Sequence, residues 1–339
     1  MKRRSADARR GLLLQATTGV RLGEAAAEWL RYVRDDRRRR LSTVNDYRNV
    51  AGQLLDAFGA ETPLEAIITE QVDRYRAALV ADGQLSARTI NKRLVALHAI
   101  FKRAQRAYGL STNPVVGVER QPLARSGDFA VLSPPEVEAL ARACAGEQDG
   151  SLLTVAAFTG LRLGELLELR WGDLDFPGRV IHVRRSRTRG QVGPPKSGRV
   201  RSVPLIDAAA RALDALSQRG RFTEAADLVF VNEVGAGLDD AALRRRFYAA
   251  LDRAGLERLR LHDLRHSFGT LAVQAFPLSD VQAYMGHADI QTTMRYIHHV
   301  PRVDAAERLS QVVAAQLSLS PTLSPTPQIS EELREPQAA

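Results

Sequence analysis

The stretch HDLRHSFGTLAVQAFPLSDVQAYMGHADIQTTMRY, residues 262–296, combines helical patterning with a high density of imidazole, guanidinium and phenol side chains. Helices are predicted to begin near Leu261, Ser279 and Asp289, where a capping residue or an amphipathic run marks each start. The stretch therefore predicts a helical domain in which chemically useful side chains follow one another in a set order.

Outside a linker and the two ends of the chain, the remaining sequence is also helical in pattern, with one exception. Between residues 179 and 205, the runs RVIHV and RVRSVPL alternate β-branched with other residues, and a loop containing glycine and proline joins them. This pattern predicts a β-hairpin, which holds eight basic residues and no acidic one. We therefore expect a mainly α fold with a small β-hairpin or sheet, in the α+β class.

Two domains are expected from a chain of 339 residues. Apolar residues recur at three-and-four spacing through residues 22–109, which predicts a helical bundle whose last helix has one basic face. A capping box formed by Ser133 and Glu136 opens the second domain. The other expected boundaries are a basic arm at 1–21, a Pro- and Gly-containing linker at 110–130, the second domain at 131–310, and at 311–339 the end of a tail helix with a disordered Pro- and Ser-rich tail.

The net charge of +9 and the pI near 10.2 predict a polyanionic partner, either nucleic acid or an anionic membrane surface. No run approaches the ~18 apolar residues that span a bilayer, and the N-terminus lacks the apolar core of a signal peptide. We therefore expect a cytoplasmic protein without a membrane partner. Cys144 is the only cysteine, which excludes an internal disulfide and a cysteine-based zinc site.

Lysine is rare among the basic residues. Only Lys2, Lys92, Lys102 and Lys196 of the 48 basic residues are lysine, and the other 44 are arginine. Arginine-rich coding bias alone can leave a few lysines at random positions. Lys196, however, lies inside the arginine-rich hairpin, where a lysine invites a chemical explanation.

Four features carry candidate chemistry, and each also has an ordinary structural interpretation. They are Arg162 with Glu165 in TGLRLGEL, Lys196 in the hairpin, His262 with Arg265 in HDLRHSF, and His287 followed nine residues later by Tyr296. Arg162 alone is typical of a surface or capping residue. His262 and His266 have the spacing of a zinc-binding pair, but the glutamate of the HExxH motif is missing, so no metal site is expected.

Taken together in this order, the features resemble the tyrosine recombinase family, which includes phage integrases and bacterial chromosome-dimer recombinases. TGLRLGEL at 159–166 is similar to the family's first arginine box, HDLRHSF at 262–268 to its HxxR box, and MGH at 285–287 with Tyr296 to its closing histidine and nucleophile. PPKSGRVRSVPL resembles the lysine-bearing strand pair, with a slightly different loop spacing. Over about residues 22–310, the resemblance implies a helical, SAM-like core-binding domain and a catalytic domain that form a clamp around DNA.

The resemblance implies a catalytic set of Arg162, Lys196, His262, Arg265, His287 and Tyr296, supported by Glu165. The planar guanidiniums of Arg162 and Arg265 match phosphate oxygens and stay charged. His287 would add a donor and His262 would take the tyrosine proton, although the sequence leaves open which histidine has which role. Lys196 would protonate the 5′-hydroxyl leaving group, which an arginine does poorly.

Tyr296 is the expected nucleophile, whereas the alternative, Tyr284, lies within the apolar pattern VQAYM and is typical of a packing residue. A tyrosyl ester conserves the energy of the phosphodiester, so no ATP, metal or other cofactor is expected. The resemblance implies a site-specific recombinase that cuts and rejoins DNA through a 3′-phosphotyrosyl intermediate and a Holliday junction. The alternatives are a type IB topoisomerase-like enzyme, a catalytically inactive DNA-binding relative and, more distantly, a zinc hydrolase.

The expected partner is double-stranded DNA with recombination sites, bound by a homo-tetramer on two sites, and DNA-bending or excision proteins are candidate accessory partners. The amphipathic segment VDAAERLSQVVAAQLSL after Tyr296 could dock on a neighbouring subunit or pack within its own chain. DNA contacts are expected from basic residues of the last N-terminal helix and of the hairpin, namely Arg88, Lys92, Arg93, Lys102, Arg103, Arg184, Arg185, Arg187, Arg189, Arg199 and Arg201.

Overall fold

The computed structural model describes residues 18–123, 129–188, 190–195, 198, 200–297, 307, 310, 311, 313 and 314. The chain divides into two compact units, each with its own buried apolar core. The first unit comprises Met1–Ala130 and Arg185–Pro194, and the second comprises Val131–Arg184 and Pro195–Ala339.

The first unit is a helical bundle. Its helices are α1 (Leu22–Arg31), α2 (Leu41–Phe58), α3 (Thr69–Asp82) and α4 (Ala87–Tyr108), and a π-helical turn at Tyr32–Asp36 continues α1. The apolar positions of α4, among them Leu94, Leu97 and Phe101, recur at helical spacing and are buried against α1, α2 and α3. Ser86 caps this helix by accepting a hydrogen bond from the amide of Thr89.

The second unit is also mainly helical. Its helices are α5 (Pro134–Arg142), α6 (Glu147–Thr159), α7 (Leu163–Leu166), α8 (Asp207–Ser217), α9 (Asp240–Ala254), α10 (Leu264–Ala275), α11 (Leu278–Met285) and α12 (Ile290–Met294). From Gly150 onwards α6 is buried on nearly all sides because it is apolar all round. It packs against α5, α8 and α10, so it forms the centre of this unit.

A small antiparallel sheet joins the helices of the second unit. Strands β1 (Leu174–Asp175), β2 (Val180–Val183) and β5 (Arg201–Pro204) lie in the order β1-β2-β5. Ile181 pairs with Val203 and Val183 with Arg201, so these positions face the apolar core. The connection between β2 and β5 holds a second hairpin of β3 (Ser186–Thr188) and β4 (Gln191–Gly193), whose contacts group it with the first unit.

The structure confirms the predicted mainly α fold with a small antiparallel sheet, including the pairing of the two predicted strands. The sequence pattern also placed Tyr296 within a helix, and this local prediction was wrong. Helix α12 ends at Met294, and Tyr296 lies in the turn that follows, where its amide bonds the carbonyl of Thr293. Most of the predicted basic arm and of the predicted tail helix lies outside the described residues. No helix in the described part of the chain is long and apolar enough to cross a bilayer.

Candidate active site

Arg162 is positioned by the sharp end of α6. Gly160 follows the helix with φ +63°, a left-handed conformation that side chains with a Cβ rarely adopt. A Cβ at Gly160 would also lie within 3.0 Å of the Phe268 ring. The TGLR sequence thus allows a tight reversal, and Arg162 becomes the residue that precedes α7.

Glu165 is the buried carboxylate between two arginines. Its side chain is 0% exposed and accepts hydrogen bonds from the backbone and Nη1 of Arg162, both at 2.9 Å. Both terminal nitrogens of Arg201 also donate to it, at 2.9 and 2.7 Å. Burial tends to raise the pKa of Glu165, but the hydrogen bonds and charges of Arg201 and Arg162 outweigh it, so the pKa is lowered.

Three arginines bind three consecutive carbonyls where α11 ends. Arg201 Nε donates to the carbonyl of Tyr284 at 2.7 Å, Arg265 donates to that of Met285, and Arg162 Nη2 donates to that of Gly286 at 2.6 Å. Carbonyls at a helix C-terminus lack partners within the helix and carry partial negative charge. The arginines therefore compensate these groups and fix the start of the segment that leads to His287 and Tyr296.

The position of Arg201 differs from the prediction. We expected it to contact DNA because it lies in a basic hairpin, but its side chain is only 8% exposed and its guanidinium is directed at Glu165. The physical reason is the two-residue alternation of a β-strand, which places Arg201 on the same face as Val203. Arg201 is thus part of the buried site in this structure.

Arg265 supplies positive charge at the floor of the site. It is 3% exposed and donates to the carbonyls of Gly160 and Met285. Burial, together with the neighbouring charges of Arg162 and Arg201, lowers the pKa of Arg265 to about 9. The guanidinium is still protonated at neutral pH. With Glu165 as the carboxylate among these arginines, the cluster has an excess of positive charge suited to a phosphate.

Tyr296 is almost completely buried, at 2% exposure. Its ring lies over Gly269, where a Cβ would come within 2.5 Å of ring carbons. Its hydroxyl is 2.9 Å from Nδ1 of His266, and the His287 ring is stacked on it at a centroid distance of 6.3 Å. Burial raises the pKa of Tyr296 to about 12, although Arg265 opposes this, so the phenol is protonated at neutral pH.

The three histidines of this region have different surroundings. His287 Nδ1 lies 2.9 Å from the hydroxyl of Thr293, and burial lowers the pKa of His287 to about 3. Burial also lowers the pKa of His266 to about 4. His262 is exposed at the surface. Desolvation by nearby protein atoms is the larger cause that lowers its pKa, and the positive charge of Arg265 lowers it further. At neutral pH the rings of His266 and His287 are uncharged.

The structure brings together Arg162, Glu165, Arg265, His287 and Tyr296 as the sequence predicted, and adds Arg201, His266 and Thr293. His262 lies next to them, with its ring 6.0 Å from that of His266. The tyrosine hydroxyl lies within hydrogen-bond distance of His266, whereas the sequence suggested His262 as the proton acceptor and left the roles of His262 and His287 open. The sequence signal for His266 was only its four-residue spacing from His262. No group of three or more potential metal ligands occurs among the described residues.

The remaining predicted DNA-binding residues fall into three groups. Arg88, Lys92 and Lys102 are exposed on α4, and Arg184 is exposed with an ion pair to Asp173. Arg93, Arg103, Arg185 and Arg187 are partly buried. Arg103 bonds Glu28, and its guanidinium lies 4.4 Å from the centre of the Tyr32 ring, so it stabilises the bundle. Arg189 and Arg199 lie outside the described residues, as does Lys196, which was predicted as a catalytic residue.

The chain is similar to known protein families over most of its length. The chain matches the phage integrase family over residues 130–302 and the phage integrase N-terminal SAM-like domain over residues 26–107. It is 31% identical over 312 residues to a putative prophage phiRv2 integrase of Mycobacterium tuberculosis, covering 88% of this chain and 78% of that protein. It is 30% identical over 318 residues to the tyrosine recombinase XerC of Xanthomonas campestris pv. campestris, covering 89% and 94%.

The fold is also similar to that of lambda integrase, whose structure was solved as a tetramer bound to a Holliday junction. The TM-score is 0.68 at 17% identity, covering 82% of this chain and 77% of that one. At this level of identity the likeness concerns the fold, whereas the family matches and the relatives at 30% identity or more concern the whole protein. The chain therefore belongs to the phage integrase family and is a tyrosine-type site-specific DNA recombinase.

Proposed function

We propose that this chain cleaves one DNA strand with Tyr296, forms a 3′-phosphotyrosyl intermediate and rejoins the strand to a new partner through a Holliday junction. The observation that carries the proposal is the contact between the buried Tyr296 and His287, one residue after the carbonyls that Arg265 and Arg162 bind. A phenol nucleophile, two guanidiniums and an imidazole donor thus share one small site. These groups supply the nucleophile and the charge stabilisation that displacement at a phosphodiester requires.

Arg162 and Arg265 are the proposed clamp for the scissile phosphate. Both guanidiniums are anchored by backbone carbonyls, so they need little rearrangement when charge develops on the non-bridging oxygens. Each guanidinium carries five N–H donors, so a carbonyl and a phosphate oxygen can be bound at once. Arg201 has an indirect role in this proposal. It holds Glu165, and Glu165 in turn holds Arg162.

His287 is the proposed additional donor to the phosphate. If the Thr293 hydroxyl donates to Nδ1, the ring proton of the neutral imidazole lies on Nε2, which can then donate to an oxygen of the substrate. Lys196 is the proposed general acid for the 5′-hydroxyl leaving group. This assignment rests on the family resemblance of PPKSGRVRSVPL and on the chemistry of lysine, which releases a proton more readily than arginine.

The proposed substrate is double-stranded DNA, and the proposed working assembly is a homo-tetramer on two recombination sites. The exposed Arg88, Lys92 and Lys102 provide a basic surface on α4 for phosphate contacts. A tetramer supplies one tyrosine for each of the four strands that are cut, as the assembly of the lambda integrase neighbour illustrates. The cytoplasmic location and the accessory DNA-bending or excision proteins expected from the sequence stay predictions.

The test is trapping of the covalent intermediate. Purified protein is incubated, without added metal, with nicked duplexes drawn from its own genomic neighbourhood, and denaturant-resistant adducts are counted. The wild type and Tyr284→Phe should form the adduct and Tyr296→Phe should not. Tyr284 is a suitable control because its ring packs edge-on against Phe276. Tight DNA binding without any adduct would instead indicate a catalytically inactive relative.

A further inference from the structure

We propose that His266 accepts the proton of Tyr296 as the phenol attacks DNA, and that Asp263 stabilises the imidazolium that forms. This inference rests on the proposed function of Tyr296. It assigns the general base to a histidine outside the set of residues carried over from the family resemblance. The geometry around the tyrosine hydroxyl carries the argument.

His266 is placed on the reacting atom itself. Its Nδ1 lies 2.9 Å from the Tyr296 hydroxyl oxygen, within the range expected of a candidate base. Both side chains are held in place. Tyr296 is seated on Gly269, and the His266 side chain, 15% exposed, lies on the first turns of α10. The contact therefore joins two ordered elements.

The position of the ring proton fixes the direction of the hydrogen bond. The phenol is protonated and the His266 ring is uncharged at neutral pH, and the Asp263 carboxylate, 3.8 Å from Nε2, favours the tautomer with the ring proton on Nε2. In that tautomer the Tyr296 O–H donates and His266 Nδ1 accepts. In this tautomer the nitrogen that faces the phenol is the unprotonated one.

Asp263 is the carboxylate on the other side of the ring. Its Oδ1 lies 3.8 Å from His266 Nε2, an ion-pair distance once the imidazole is charged. Asp263 is 5% exposed, and its carboxylate is also bonded by Arg260, both through the Arg260 amide and through its guanidinium. Arg260 fixes the orientation of Asp263 while sharing its charge. Asp263, His266 and Tyr296 thus lie in the order carboxylate, base and nucleophile. A nucleophile is commonly activated by a neighbouring base that a third group orients.

His262 is the competing candidate. Its ring lies edge-on to that of His266, at a centroid distance of 6.0 Å, and it is exposed to solvent. These features suit a contact with DNA better than a contact with the buried phenol. His262 is therefore the residue whose effect must be separated from that of His266.

The step balances without any further reactant. The Tyr296 oxygen forms a bond to phosphorus while its proton passes to His266 Nδ1. The bond from phosphorus to the 5′-oxygen breaks, and that oxygen takes a proton from the general acid, which we propose is Lys196. In the rejoining step, the 5′-hydroxyl returns its proton to that acid and the imidazolium reprotonates the phenol.

The experiment measures single-turnover adduct formation on two suicide substrates, one with an ordinary scissile phosphate and one with sulfur replacing the bridging 5′-oxygen. A thiolate leaves without a proton, so this substrate replaces a general acid but not a base. His266→Ala should slow cleavage of both substrates by about 10²-fold or more. Lys196→Ala should be slow only on the ordinary one. Added imidazole should restore part of the His266→Ala rate, because the ring's space is vacant.

His266→Asn tests the same idea with an acceptor retained near the position of Nδ1. It should keep the fold and DNA binding yet remain slow, because an amide oxygen does not take up the proton. His182→Asn, a histidine on β2 that contacts Ser202, is the matched control and should cleave normally. Wild-type rates in the His266 variants, or rescue of both by the sulfur substrate, would overturn the proposal. Absence of adduct in the wild type would instead overturn the proposed function.

Discussion

Arg201 places Nη1 2.9 Å from Oε1 and Nη2 2.7 Å from Oε2 of Glu165, and both side chains are buried. Two parallel N–H donors on one carboxylate form a rigid, planar pair. The pair lies directly behind Arg162, which bonds the same carboxylate. Arg201 is therefore a structural support of the proposed phosphate clamp.

Arg201→Ala should destabilise the protein by about 3 to 5 kcal/mol, because it leaves the buried Glu165 with an incomplete set of partners. Denaturant unfolding measures this change. Arg179→Ala, which removes an exposed ion pair with Asp207, is the control and should cost at most about 1 kcal/mol. Equal effects of the two substitutions would contradict the structural role of Arg201.

Gly269→Ala should displace the ring of Tyr296, since the new Cβ would lie 2.5 Å from ring carbons. We expect a loss of stability of about 1 to 3 kcal/mol and slower cleavage, with DNA binding unchanged. A double-mutant cycle with Tyr296→Ala measures the clash directly. The stability loss should largely vanish when the ring is absent, and its persistence would show that the clash lies elsewhere.

Thr293→Val should loosen His287 without changing the shape of the site. The buried Thr293 hydroxyl is 2.9 Å from His287 Nδ1, and valine has nearly the same volume. Cleavage should slow by about tenfold or more, because small displacements of catalytic groups reduce rates strongly. Thr292→Val, at an exposed neighbouring position, is the control and should cleave at the wild-type rate.

Stability should fall on mild acidification. Burial lowers the pKa of His266 to about 4 and that of His287 to about 3, against 6.5 in the unfolded chain. Between these values the unfolded chain binds more protons, so the free energy of unfolding decreases as the pH drops below about 6.5. The limiting slope is about 1.4 kcal/mol per pH unit for each histidine. Urea unfolding between about pH 7 and pH 5 should show a shallower decrease in the double variant His266→Asn, His287→Asn.

The helical architecture could be predicted because it depends on local patterns, whereas the clustering of the arginine and histidine boxes was implied by the family resemblance. Gly160 ends one helix just before Arg162, and α11 ends just before His287. Capping and turn residues of this kind are legible in a single sequence. The antiparallel pairing of β2 with β5 was predicted for the same reason, from alternating β-branched residues.

The inward position of Arg201 could also have been predicted from its strand, although the basic composition of the hairpin suggested a contact with DNA. Its strand face is shared with Val203, which is buried, so the alternation placed Arg201 inwards. The identity of its partner was not legible. Glu165 precedes it by 36 residues, and the two side chains meet only in the folded chain.

His266 could not have been assigned from the sequence. Its hydrogen bond to Tyr296 joins residues 30 positions apart and requires the ring to sit on Gly269. No local rule connects these three residues. The helical position expected for Tyr296 was wrong for a related reason, since α12 stops at Met294 and the turn carries the ring into the interior.

The bonds from Arg201, Arg265 and Arg162 to the carbonyls of Tyr284, Met285 and Gly286 have a consequence for protein engineering. Each peptide unit is matched to a different arginine, so inserting or deleting one residue in α11 would mispair all of them. The length of the segment 287–295 then determines how far the Tyr296 phenol lies from the anchored end of α11. The length of this segment is therefore as strict a requirement as the identity of its side chains, and chimaeras between relatives should take residues 284–296 from a single parent.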